Sequence, residues 1–104
     1  MNDIEHFKQL RRCIMVTLYT FFQEVPYASI ELSTLTDKCA VDYKELNWNL
    51  AYLEKCGYVE LGKSVDAPPF IAASATISAK GIDLVENQEE FETKFQVLRL
   101  KGTS

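Results

Sequence analysis

A chain of 104 residues has surface enough to bury one hydrophobic core and too little for two, so residues 1–104 read as a single domain. Hydrophobic residues at 47% beside charged residues at 25% exclude an intrinsically disordered chain. Eleven basic side chains against fifteen acidic ones leave a net charge of −4, far from the strongly basic footprint of a dedicated nucleic-acid binder.

The first predicted element is a helix over about residues 3–24. Asn2 or Asp3 can cap it, and Pro26 ends it by removing a donor and pushing Val25 out of helical geometry. Its first half is amphipathic, with Ile4, Phe7, Leu10 and Ile14 on one face and Glu5, Lys8, Arg11 and Arg12 largely elsewhere. From Cys13 to Phe22 it is apolar on nearly every side, more than a small monomer can cover. Pro26 to Leu32 then reads as a connector, with a short extended piece at Ser29 to Leu32.

Between about residues 33 and 56 the apolar positions Leu35, Cys39, Val41, Leu46, Leu50 and Leu53 recur at helical spacing until Gly57 stops them. Ser33 or Thr34 can cap a first short helix and Asp42 a second, leaving room only for a tight turn at Cys39-Ala40-Val41. Tyr58 to Leu61 and Ala75 to Ser78 alternate apolar with polar, and a hairpin pairs them, making a wing over about 58–78. Its tip holds Asp66-Ala67-Pro68-Pro69, where two prolines that cannot donate to a ladder belong. Ser78 caps a last helix over about 79–96, with Ile82, Val85, Phe91 and Phe95 as its apolar contacts and an acidic remainder that reads as a solvated face. The tail 97–104 has no clear period.

This arrangement resembles the helix-turn-helix of the winged-helix transcription regulators, the group that includes MarR-like, ArsR-like and PadR-like proteins. Leu35 stands where the group has the leucine of its "LA" pair, Ala40 where the turn has a small residue, and Val41 where an aliphatic side chain plugs the turn. Leu46, Leu50 and Leu53 match the inward positions of the recognition helix, Gly57-Tyr58-Val59 the lead into the wing, and Ile77-Ser78-Ala79-Lys80-Gly81 the "LTxxG" that follows it. Thr36 replaces the usual alanine, and Trp48 stands where a polar or basic residue is common. The resemblance implies an α+β winged helix-turn-helix with long N-terminal and C-terminal helices and a two- to three-stranded antiparallel wing.

With Leu46, Leu50 and Leu53 turned inward, steps of 100° carry Lys44, Trp48 and Lys55 to the opposite side, with Asn47 on one flank and Glu45 and Tyr52 on the other. The resemblance implies that this side enters the major groove of duplex DNA. The candidate DNA-binding residues are then Tyr43, Lys44, Asn47, Trp48, Lys55 and, in the wing, Lys63. Lys44 suits a phosphate or guanine, Asn47 an adenine, and Trp48 a thymine methyl. The bland alternative makes Lys44 and Lys55 solvated charges, with Trp48 covered by the wing or by another subunit. From Glu31 to Lys63 the four lysines are outnumbered by six carboxylates, and the apolar tip at Pro68 to Ile71 suits a protein as well as DNA.

The crowded first helix and the Phe91/Phe95 stripe point to a homodimer through Ile14, Leu18, Phe21, Phe22, Phe91 and Phe95, with Lys8, Arg11 and Arg12 meeting Glu86 to Glu92 across the two-fold axis. No catalytic motif is present, so the chain is expected not to be an enzyme. No cofactor is expected, and Cys13, Cys39 and Cys56 lack the spacing of a metal site with the lone His6. They read as free, buried thiols in a reducing cytoplasm. The apolar run at Cys13 to Val16 is too short and too polar in its flanks for a membrane span or a signal peptide. Two functions remain: a small cytoplasmic DNA-binding regulator acting as a dimer, or a winged-helix module that docks on protein through Trp48 and the wing.

Overall fold

The computed structural model describes residues 3–63 and 72–95. The expected wing tip at Pro68 to Ile71, the end of the last helix at Gln96 and the tail 97–104 lie outside the described residues. The elements run α1 (Asp3–Glu24), β1 (Ile30–Glu31), α2 (Leu32–Cys39), α3 (Tyr43–Lys55), β2 (Val59–Gly62), β3 (Ser74–Ile77), α4 (Ala79–Glu86) and α5 (Gln88–Lys94).

The three strands form an antiparallel sheet in the order β1-β3-β2. Val59 pairs with Ile77 and Gly62 with Ser74, while β1 adds Ile30 opposite Ala75 on the other edge of β3. The third, minor strand expected between residues 29 and 32 is therefore present. The helix-turn-helix packs with α1, α4 and one face of this sheet around a core centred on Ile14, Met15, Leu35, Leu46, Leu50, Leu53, Ala75 and Ile77. The inward triplet of α3 is buried as its spacing requires.

Caps explain where the helices start and stop. Asp42 accepts from the Glu45 amide at the head of α3, and Ser78 accepts from the Gly81 amide at the head of α4. The C-terminus of α3 closes as a Schellman motif: Gly57, at φ 88°, donates to the Glu54 carbonyl, and Tyr58 donates to that of Leu53. The expected caps of α2 are corrected. Its N-cap is Glu31, which makes no side-chain cap bond, because β1 runs directly into the helix and leaves Ser33 and Thr34 inside it.

The single C-terminal helix is also corrected: Asn87 leaves helical geometry and caps a second segment by accepting from the Glu90 amide, so α4 and α5 are separate. This bend folds Phe91 and Phe95 back onto the core, edge to face with ring centroids 5.5 Å apart.

α1 is tied to both C-terminal segments. Tyr19 donates to Glu86 of α4 at 2.7 Å, and Arg12 pairs with Glu92 of α5 while its guanidinium lies 5.1 Å from the Phe91 ring centroid. The Arg12 guanidinium holds the Glu92 carboxyl below the usual carboxylate range. A depressed folded value means that the pair's stabilisation is present above the ordinary pKa of an unfolded carboxylate and is lost as pH falls through the lower folded value. Glu92→Gln should therefore flatten the acid limb of a stability-against-pH curve measured by urea unfolding. The effect is small, because the carboxylate is half in water.

Candidate nucleic-acid interface

The outer face of α3 is where the architecture places the expected reading residues. Tyr43, in the first turn, is 53% exposed, and Trp48 is 65% exposed. Lys44 and Lys55 are exposed on the same helix. Lys44, Trp48 and Lys55 thus form one stripe turned away from Leu46, Leu50 and Leu53. Lys63, just past the end of β2, is exposed as well.

Asn47 belongs elsewhere, which corrects its assignment as a base-reading residue. Its Nδ2 donates to the Tyr43 carbonyl at 3.1 Å, and its Oδ1 accepts from the Ala72 amide at 3.0 Å. The amide is engaged at each end, so the side chain ties α3 to the segment that leads into β3.

The proposed interface set is corrected too. Ile14, Leu18, Phe91 and Phe95 are buried inside this chain, the first two in the core under α1 and the two phenylalanines through the bend at Asn87. Phe21 and Phe22 are only partly covered, and Val16 remains exposed. Two of the three basic residues expected to cross a two-fold axis find partners within the chain: Arg12 meets Glu92, and Arg11 meets Asn49.

That last contact is the main feature missed in the sequence. Asn49, 2% exposed, is the buried polar residue of the core among the described residues. Its Nδ2 donates to the Glu45 carbonyl at 2.8 Å, and its Oδ1 accepts from Arg11 Nε at 2.7 Å. The Arg11 guanidinium lies 4.0 Å from the ring centroid of Tyr52, one turn further along α3. His6 adds a contact to Glu45 at 3.0 Å. Together these side chains fasten α3 against α1. The Tyr52 phenol is pushed above its ordinary value, first by its bond to the Cys56 side chain and then by burial. The available signal was Asn49 itself, three residues after Leu46 and four before Leu53 on the apolar face.

The cysteine reading is also corrected. Cys13 of α1 and Cys39 at the end of α2 form a disulfide with their Cα atoms 5.9 Å apart, and Cys56 is free. Neighbours in space that stand 26 residues apart in sequence carry no spacing motif that would reveal such a pair. No helix among the described residues is long and apolar enough to cross a membrane.

No protein-family model and no curated protein sequence matches the chain. Among solved structures, the crystal structure of NadR in complex with 4-hydroxyphenylacetate superposes with a TM-score of 0.57 at 21% identity. The match covers 88% of this chain and 58% of that one, so the chain spans little more than half the length of this neighbour. The likeness establishes the winged helix-turn-helix architecture.

Proposed function

We propose that the chain is a winged-helix transcription regulator that binds duplex DNA through the outer face of α3 and acts as a dimer. The observation that carries this reading is the exposed Lys44-Trp48-Lys55 stripe on the second helix of a helix-turn-helix. Tyr43 flanks it at the start of the helix, and Lys63 supplies a cation from the wing. The likeness to NadR supports the same reading at the level of fold. For the dimer, the half-covered Phe21 and Phe22 and the exposed Val16 of α1 are the available apolar contacts.

The experiment is selection from a random duplex library at low salt, followed by affinity measurements as salt is raised. A dimer should enrich a pseudo-palindromic site with half-sites about one helical turn apart. Few lysines take part, so log affinity should fall with log salt at a shallow slope. Trp48→Ala and Lys44→Ala should each cost about 1 to 3 kcal/mol of binding, Lys44→Ala on all sequences alike if it holds a phosphate. Asn47→Ala should instead speed exchange of the Ala72 amide and leave base preference unaltered, since its side chain holds the wing. A library that enriches nothing, with sedimentation showing a monomer at micromolar concentration, would remove this reading.

One observation favours a second reading, a protein-docking module. Tyr43, Trp48 and Tyr52 expose three aromatic rings on α3 in a chain of net charge −4, and exposed aromatics mark protein interfaces as readily as grooves of DNA. Under it, Trp48→Ala abolishes partner binding and no DNA is shifted at any salt concentration.

A further inference from the structure

Two residues of one turn of α1 hold the two helices of the helix-turn-helix by bonds of different kinds. Arg11 holds α3 through the hydrogen bond to Asn49, which thiol chemistry leaves alone. Cys13 holds α2 through the disulfide to Cys39, which a thiol can open. Both cysteines are half-buried, so a small thiol can reach the bond from solvent.

Cys39 is the last residue of α2, and Ala40, at φ 56°, makes the left-handed turn that follows. Leu35 is fully buried, but every side chain from Thr36 to Val41 is exposed or only half-buried. Beyond Leu35, Cys39 and Val41 pack only in part on the core, and the disulfide is the covalent tie of the last turn of α2 to α1. The turn at Ala40 and Val41 lies directly before Asp42, the cap of α3.

We infer that Cys13 and Cys39 form a reversible thiol–disulfide switch that sets how firmly the end of α2 and the helix-turn-helix turn are held to α1. The reductant is a small cellular thiol of the glutathione type. Its thiolate attacks one protein sulfur, the S–S bond breaks, and the departing sulfur takes up a proton, leaving a mixed disulfide. A second thiolate attacks the small molecule's sulfur in that mixed disulfide and releases the other protein thiol. Two electrons and two protons pass to the protein, and two small thiols become one small disulfide. The reverse sequence closes the bond. In the open form the end of α2 loosens while α3 stays fastened through Arg11 and Asn49. The switch itself stands on this geometry, and its effect on DNA rests on the function proposed above.

The test equilibrates the full chain in buffers of graded reduced and oxidised glutathione. Alkylation and mass spectrometry read the thiols, amide exchange reads the helices, and mobility shift on the random duplex library reads DNA binding. Cys13 and Cys39 should open and close together within the range, with exchange at residues 36–42 about tenfold faster in the open form and that of residues 46–53 unaltered. Cys13→Ser should show the open pattern at every ratio. A pair that stays closed or stays open throughout, or two forms that exchange alike, would overturn the switch. If exchange changes but neither form shifts DNA, the switch stands and the regulator reading falls. If DNA is bound equally and exchange is unaltered, the reverse holds.

Discussion

Gly81→Ala should destabilise the protein by about 3 kcal/mol, read as a lower urea midpoint and a melting temperature lower by roughly 10 °C or more. A Cβ built on Gly81 would stand 2.2 Å from the Tyr58 carbonyl oxygen, 2.9 Å from Ile77 Cγ1 and 3.1 Å from the end of Met15. The first of these is backbone at the head of β2, where the same carbonyl accepts from the Ser78 amide at 3.0 Å, so it cannot swing aside like a side-chain tip. Helix propensity alone favours alanine over glycine by about 1 kcal/mol, which gives the experiment a sign to decide. A stabilised Gly81→Ala protein would show that α4 does not sit this close to the wing. Ser78 reinforces the junction, since its hydroxyl donates to the Gly57 carbonyl at 2.6 Å as well as capping α4.

Gly81 was legible in the sequence as the last residue of a motif, and so were the pieces that depend on local rules. Asp42 and Ser78 cap the helices where polar residues precede apolar periodicity, and Gly57 ends α3 where only a left-handed residue closes the helix. Leu46, Leu50 and Leu53 face inward because their spacing leaves no other face. What escaped depends on pairing between distant segments. Asn87, three residues before Glu90, has the spacing of a cap but lies inside a run of helix formers that hides the break, and the bend brings Phe91 and Phe95 into the chain's own core and removes them from an interface. Asn47 and Asn49 differ by two residues and thus by slightly more than half a turn, and only the positions of Ala72 and Arg11 reveal which one holds the wing and which one holds α1. The stripe of Lys44, Trp48 and Lys55 was readable because exposure on a helix follows from the burial of its opposite side.

Asn49→Ala should cost about 2 kcal/mol, and Arg11→Ala a similar amount, because each removes one half of a part-buried hydrogen bond to a charged group. The Asn49 change also leaves Arg11 Nε without its acceptor, while the Arg11 change strips the guanidinium from the face of Tyr52. The two losses share one contact, so the double variant should lose less than the sum, with a coupling of about 1 to 2 kcal/mol in urea unfolding. Additive losses would mean that the two side chains act separately and that α3 is not held through their bond. Replacing both at once, with Arg11→Met and Asn49→Leu, should recover much of the stability by filling the space with apolar volume. That variant separates fold from function. If the bond serves only stability, Arg11→Met with Asn49→Leu binds the selected duplex as well as the parent. If it fixes the angle at which Lys44, Trp48 and Lys55 are presented, the stable double variant loses affinity about tenfold, because an interface aligned by a directional hydrogen bond now rests on side chains that slide.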